Sequence, residues 1–529
     1  MTVFFILKKL KKMKAINFLE FEKLKFKYFI LLYLINMGVF GQKKPNILFI
    51  LSDDHTSQAW GLYGGILKDY VKNDNIKRLA KNGALLQNVF CTNSICTPSR
   101  ASILTGEMSH KNNVYDLSGS LETEKVTVAI KLQENGYKTA LFGKWHLNAE
   151  PMGFGDYTIL PGQGRYHNPL MIKKGEYSLE KEGEKVIKGY CDDAITEMSL
   201  EWLDKRDKSK PFFLCTQFKA THEPFDYPER QRDFLKDDVL PIPQNLMDFS
   251  AANSGRTHDG WPLEILGKRY EKSKGDSYPG EKFNLSGLNQ EESRIKIYQE
   301  FLKDYLRAAA TIDENIGKIL DYLDQNNLTE NTIVVYTSDQ GYFLGEHGFF
   351  DKRFIYEESL RMPFVISYPK EIKAGSSNFD LIMNIDFAST FLDFAGIKAP
   401  ENFQGKSFRE NLKDSSTENW RKTIYYRYWS NEPERPAHLG IRTDRYKLVL
   451  FYGQNRLDTE RSKMKYPPGW EFYDLKNDPK ENNNLISNKK YKKRIEILKK
   501  ELINQKEFYQ DFDNQPEIKN ILKENGIEI

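Results

Sequence analysis

From Lys43 onward the chain alternates short, β-rich apolar runs with longer amphipathic segments, the order in which parallel strands are joined by crossover helices. The first run, Ile47 to Leu51, lies between Pro45-Asn46 and Ser52-Asp53-Asp54 and shows no polar alternation, so it reads as a strand buried on both faces. Thr139 to Phe142, Phe212 to Thr216, Ile333 to Thr337 and Phe364 to Tyr368 are further strand candidates, with helical patterns over Arg294 to Asn326 and Asp386 to Phe394. Pro224 to Gly287 is rich in Pro, Asp, Gly and Ser without clear period and reads as an irregular insertion over one face of the sheet, where substrate pockets are often shaped. After about Ala399 the pattern changes to short strands, Thr423 to Tyr428, His438 to Arg442, Tyr446 to Phe451 and Phe472 to Leu475, followed by a helix over Lys489 to Tyr509. Arg442 to Arg445 has the look of a hairpin turn. The predicted fold class is therefore α/β, a large mixed, mostly parallel sheet flanked by helices, with a smaller α+β C-terminal domain. Its expected bounds are 42–400 for the larger domain and 401–529 for the smaller, within the two to four domains that such a length roughly admits.

The N-terminus has its own character. A Lys-rich opening, Lys8 to Lys27, runs into an apolar stretch from Tyr28 to Phe40 and then Gly41-Gln42, a signal-peptide pattern over 1–41. A start at Met13 would give a more ordinary leader. The apolar stretch falls short of the roughly 20 residues a bilayer span needs, so export to the periplasm or the medium is expected, with no stable membrane span; the alternative is a retained N-terminal anchor. Lys and Arg number 78 against 74 Asp and Glu, for a net charge of +4 spread without blocks, and no nucleic-acid footprint follows. Cys91, Cys96, Cys191 and Cys215 show no CxxC spacing, so zinc and redox motifs are absent.

Two strand candidates end in acids: Ile47 to Leu51 leads into Asp53-Asp54, and Ile333 to Thr337 into Asp339-Gln340. Ligands of open parallel sheets gather at the carboxyl ends of strands. If the two strands are neighbours, three carboxylates and an amide oxygen converge, which suits a hard cation, calcium or magnesium; otherwise the acids simply cap the following helices. The segment Cys96 to Gly106 reads as a loop entering a helix near Pro98 and closed by Gly106. Cys96 and Arg100, four apart, face one way across the helix start, where free N–H groups favour an anion. On these grounds alone Cys96 is either a small buried hydrophobe or a nucleophile.

Cys96-Thr97-Pro98-Ser99-Arg100 with Leu104-Thr105-Gly106 resembles the signature of the type I, formylglycine-dependent sulfatases of the alkaline phosphatase superfamily. The resemblance runs from Pro45-Asn46-Ile47 through Gly143-Lys144-Trp145-His146 and Ser338-Asp339-Gln340-Gly341 to Tyr446-Lys447-Leu448. It implies an alkaline phosphatase-like fold and a Cys96 oxidised to formylglycine by a separate formylglycine-generating maturation enzyme. The hydrate of that aldehyde attacks sulfur, the alcohol leaves, and the remaining geminal hydroxyl expels sulfate. Asp53, Asp54, Asp339 and Gln340 then resemble the ligands of one calcium ion, joined by modified Cys96 and the substrate; Gln340 stands where the family often has Asn, and either supplies an amide oxygen. Arg100 would hold the hydrate, and Lys144 and His146, two apart in an expected extended segment, would face one side. His146 is suited to take a proton from the hydrate. His222, after the Phe212 to Thr216 run, resembles the sulfate-binding His, and Lys352 the late Lys near the bridging oxygen; one of them would protonate the leaving alcohol.

Leu160 to Pro169 and Tyr356 to Pro363 resemble carbohydrate sulfatases more than simple aryl sulfatases. A sulfated polysaccharide is the expected substrate, with an ulvan-type algal glycan favoured and glucosamine 6-sulfate, glycosaminoglycan or mucin sugars as the alternative. Arg165, His167 and Arg361 are candidates to bind sugar hydroxyls or carboxylates, or are structural; His347 reaches the sugar or caps a loop. A phosphonate monoester hydrolase or phosphodiesterase, which shares nucleophile and fold but relies on a transition metal, is a second enzymatic reading. A sulfoglycan-binding protein with a dead site is a non-enzymatic one.

Overall fold

The computed structural model describes residues 43–178, 185–248, 262–413, 419–432, 435–454 and 467–528. The leader over 1–41 lies outside them. Pro45–Ile529 is one compact unit, and no helix among the described residues is long and apolar enough to cross a membrane.

In chain order the strands are β1 (Asn46–Asp53), β2 (Ala84–Phe90), β3 (Lys138–Lys144), β4 (Asp156–Leu160), β5 (Leu170–Lys173), β6 (Lys185–Val186), β7 (Phe212–Thr221) and β8 (Thr332–Ser338). There follow β9 (Phe343–Leu344), β10 (Phe350–Asp351), β11 (Arg361–Ser367), β12 (Ser376–Asn378) and β13 (Ile382–Met383). Among the described residues, eleven of these form one sheet in the order β12-β2-β11-β8-β1-β7-β3-β4-β5-β6, with β13 pairing β2 off that path. Its centre is parallel: β8, β1, β7, β3 and β4 run the same way. The Phe364 to Tyr368 run departs from a parallel arrangement, because β11 pairs antiparallel with both β8 and β2.

Uninterrupted apolar sequence becomes two-sided burial. Ile47 to Leu51 are at most 1% exposed, and covering each such side chain contributes about 1.5–3 kcal/mol relative to leaving it in water. The layer on one face includes the long helix Gln290–Gln325, whose N-terminus carries a capping box between Asn289 and Glu292. The Asp386–Phe394 helix packs against the Cys96–Thr105 helix.

Three local readings need correction. Within the presumed irregular insertion, Leu263–Ser273 is a helix that buries Leu263, Leu266, Gly267 and Tyr270 and packs against the long helix; tertiary packing overrides a weak period there. The helix carrying Cys96 begins at Cys96 itself rather than near Pro98. Finally, Lys144 and His146 do not share one extended run: β3 stops at Lys144, and His146 has φ 54°.

The C-terminal part forms a four-stranded antiparallel sheet, β14 (Thr423–Tyr428), β15 (His438–Thr443), β16 (Tyr446–Phe451) and β17 (Gly469–Asp474), in that order. Arg442 pairs with Lys447 across the expected hairpin. The expected C-terminal helix spans Lys492–Phe508, and a second one, Pro516–Glu524, follows it. Leu448, Phe451 and Phe472 of the small sheet belong to the same buried cluster as Ile47, Phe49 and Leu51 of β1.

Candidate active site

β1 and β8 are hydrogen-bonded neighbours, with Leu51 opposite Thr337 and Ser52 opposite Ser338. Asp53-Asp54 and Asp339-Gln340 therefore leave the same sheet edge side by side. Asp54 turns the chain with φ 65°, and its N–H donates to Asp339 Oδ1 at 3.2 Å. Carboxylate oxygens of Asp53, Asp54 and Asp339 lie within 4.8 Å of one another, all buried.

The helix Cys96–Thr105 presents its first residue to this edge. Gly106, at φ 64°, closes the helix as a left-handed C-cap that a side chain would disfavour. The Cys96 thiol donates to Asp53 Oδ1 at 3.3 Å, and Gln340 Nε2 points at Cys96 Sγ from 3.6 Å. Burial first, then the Asp53 charge, pushes the thiol up, beyond the range in which a thiolate forms near neutrality.

Four cations surround the acids. Arg100 Nε donates to Asp339 Oδ2 at 3.0 Å and its Nη1 to the Lys144 carbonyl and Gln217 Oε1 at 2.8 and 2.9 Å. Lys144 Nζ pairs with Asp53 and donates to Gln163 Oε1 at 2.7 Å. Lys352 Nζ grips both Asp54 oxygens at 2.7 and 2.6 Å. Lys219, buried at the end of β7, donates to the Gln163 carbonyl at 2.9 Å and lies over the Tyr166 ring; burial and then Lys144 bring its ammonium down to about 8. Burial alone would raise Asp53, yet Lys144, with Arg100 and Lys352, outweighs it and holds that carboxyl well below its usual range. Asp339 goes the other way: burial and the Asp53 charge, against Arg100, push it up to about 8.

His222 Nε2 lies 3.9 Å from Asp54 Oδ2, and its Nδ1 faces the Glu223 carbonyl at 2.7 Å. His146 is buried with Nδ1 unpartnered. Burial and then Lys144 depress both imidazoles well below their ordinary value, so both are neutral near pH 7.

The donor set fits a hard cation. Gln340 Oε1 is buried without a hydrogen-bond partner, although a buried amide oxygen ordinarily finds one. Burial and then the Asp53 charge push Asp339 up, which a divalent charge would offset. With three carboxylates and no imidazole or thiolate required, these oxygens match calcium or magnesium chemistry.

The structure thus brings together Cys96, Arg100, Lys144, His146, His222, Lys352, Asp53, Asp54, Asp339 and Gln340. The sugar-binding candidates disperse. Arg165 is exposed, donates to the Asn168 carbonyl at 2.7 Å, and borders a cavity of about 580 Å³ that His146, Gln163 and Tyr177 also line. His167 pairs with Asp226 at 3.2 Å beside a different cavity of about 800 Å³. His347 is buried and stacked on Tyr356, its ring lowered to about 4 by burial. Arg361 is tied internally to Glu357 at 2.6 Å and lies over Phe90. Gln163, Gln217 and Lys219 had no assigned role from sequence; a lysine within the buried strand β7 was the available signal for the last.

A family model described as "Sulfatase" matches residues 45–397, and one described as "N-sulphoglucosamine sulphohydrolase, C-terminal" matches 345–508. An N-acetylglucosamine-6-O-sulfatase of Bacteroides thetaiotaomicron is 37% identical over 511 residues, covering 89% of this chain and 88% of the relative. A solved structure of a protein in complex with its substrate D-glucosamine-2-N,6-O-disulfate superposes with a TM-score of 0.79 at 36% identity, covering 90% of this chain and 99% of that one. An ulvan-active sulfatase of Formosa agariphila is 26% identical over 477 residues, covering 87% of this chain and 80% of the relative. Edge, helix and family match agree: the chain belongs to the sulfatase family and is a sulfuric ester hydrolase of alkaline phosphatase-like fold.

Proposed function

We propose that this enzyme removes the 6-O-sulfate of a glucosamine residue in a sulfated carbohydrate, using formylglycine made from Cys96 and one calcium ion. The observation that carries the substrate is the likeness, over nearly the full length of both chains, to a 6-O-sulfatase and to a structure holding a glucosamine 2-N,6-O-disulfate. The ulvan-type glycan favoured from sequence gives way to this alternative, since the ulvan-active relative stands at 26% identity against 37%.

Formylglycine at position 96 supplies a hydrate oxygen to attack sulfur, and Asp53, Asp54, Asp339 and Gln340 would hold the calcium whose charge is set against the sulfate oxygens. An unmodified Cys96 is unsuited to the task, because its thiol stays protonated. Arg100 and Lys144 are fixed donors aimed at the negative charge that grows on sulfate, already oriented by their bonds to the acids, and His222 stands beside them, its Nε2 3.9 Å from Asp54. Lys352, whose ammonium is fixed on both Asp54 oxygens at 2.7 and 2.6 Å beside the site, is the acid for the leaving sugar oxygen. His146, neutral and with Nδ1 unpartnered, accepts the proton from the oxygen at residue 96. Arg165, on the cavity that His146 borders, is the cation for the sugar or its neighbour; His347 and Arg361 are held in internal contacts and take no part in binding the sugar. A formylglycine-generating enzyme is the implied partner, and export by the leader puts the enzyme in the periplasm or the medium.

Sulfate release from glucosamine 6-sulfate, its N-sulfated form and ulvan oligosaccharides tests the reading, using matured protein beside Cys96→Ala and a calcium-stripped sample. Release from the glucosamine sulfates, lost in both controls, is expected. Release from ulvan fragments alone would overturn the substrate.

A further inference from the structure

Lys352 is presented by an unusual backbone. Asp351 and Arg353, on either side of it, have φ of 78° and 90°, a conformation that side chains disfavour and that persists only where surroundings enforce it. Two of the enforcing groups come from the C-terminal part of the chain. Arg435, just before β15, donates to Asp351 Oδ2 at 2.8 Å, and Arg353 closes on the same oxygen. The Tyr426 hydroxyl, on β14, donates to the Arg353 carbonyl.

That hydroxyl has a second bond. It accepts from the Ser94 N–H at 3.1 Å, and Ser94 stands two residues before Cys96. One fully buried oxygen therefore ties the chain entering the Cys96 helix to the chain leaving Lys352. Tyr426 is held in turn by its ring stacked on His438, centroids 5.6 Å apart.

We infer that Tyr426 is a positioning residue that sets Lys352 relative to Cys96 through the paired bonds of its hydroxyl to Arg353 and Ser94. The inference rests on the reading of Lys352 as the acid for the leaving oxygen. In a displacement at sulfur, nucleophile and leaving group lie on opposite sides, so the acid must keep a fixed distance from residue 96. The Cys96 helix has other anchors, including Ser99, whose hydroxyl bonds the Asp339 carbonyl and receives Asn384 Nδ2 at 2.9 Å. The Lys352 strap depends on the C-terminal sheet, so losing the hydroxyl shifts Lys352 rather than residue 96.

The test uses leaving-group dependence. A sugar alkoxide needs a proton to depart and 4-nitrophenolate does not. Matured Tyr426→Phe should lose about 10- to 100-fold in kcat on glucosamine 6-sulfate, with KM within about twofold, the scale of a misplaced acid. On 4-nitrophenyl sulfate its kcat should fall less than about threefold. Asp351→Asn, which weakens the same strap by another bond, should show the same selective loss and guards against a folding defect peculiar to the tyrosine. Equal losses on both substrates, or no loss in a folded variant, would overturn the positioning role. Wild-type protein inactive on both would instead overturn the sulfatase reading and remove the premise.

Discussion

At Asp339, burial and the Asp53 charge raise the carboxyl to about 8 when no cation is bound. An ordinary Asp titrates near 4 unfolded, so between about pH 4 and 8 the folded state holds a proton that the unfolded state has released. Stability of metal-stripped protein therefore falls as pH rises through that window. Calcium favours the ionised carboxylate and should remove most of that slope. Thermal unfolding at pH 5.5 and 8, with chelator and with calcium, checks this: the calcium-induced rise in Tm should be larger at pH 8. Buried Asp192, Asp304 and Glu481, each raised by burial to about 7, share the sign but not the metal, so they cancel in the comparison. An equal calcium effect at both pH values would sink the assignment. For Lys352→Ala, kcat on glucosamine 6-sulfate should fall about 10²- to 10⁴-fold, the usual worth of a positioned acid, and far less on 4-nitrophenyl sulfate. At this scale Cys96, Arg100 and the acids were legible because each sits in a short signature. Lys219 and Gln163 were not, because what places them at the site is a shared neighbour, Lys144, that no spacing reveals.

Among the elements, β1, β8, β7 and β3 decide the geometry of the site. Gly143, one residue before Lys144, has φ 110°, and a Cβ there would lie 1.9 Å from the Gln217 carbonyl oxygen of β7. Gly143→Ala should destabilise the protein by about 2 kcal/mol or more, the strain of a forced backbone added to a clash. It should also weaken activity, because Gln217 Oε1 receives Arg100. Urea unfolding beside sulfate release measures both, and a variant of wild-type stability would refute the close packing of β3 on β7. The central strands were readable from unbroken apolar runs. The direction of β11 was not, since a buried strand looks the same in sequence whichever way it runs. The Leu263–Ser273 helix was hidden for a related reason: its buried face is defined by the long helix it meets.

For the whole molecule, the two sheets share one apolar cluster, which joins Phe49 of β1 to Phe451 and Phe472 of the small sheet. Buried Arg427 of β14 is paired with Asp511 at 2.8 Å and with Asp513 at 2.5 Å, which fastens the tail beyond the terminal helix to that sheet. A chain ending at residue 400 should therefore be insoluble and inactive rather than a smaller working enzyme, which solubility after expression checks directly; a soluble, active fragment would show the cores to be separable. The amino-acid sequence by itself determined the alternation of buried strands and amphipathic helices, the acids at two strand ends, and the Cys96 helix with its C-cap, because period, burial and capping are properties of neighbours along the chain. Only the tertiary structure decided that Asp53 and Asp339 are adjacent, that Gln163 stands between two lysines, and that Tyr426 bridges Ser94 to Arg353. Those meetings join residues tens to hundreds of positions apart, and they depend on how every intervening element packs rather than on any local preference.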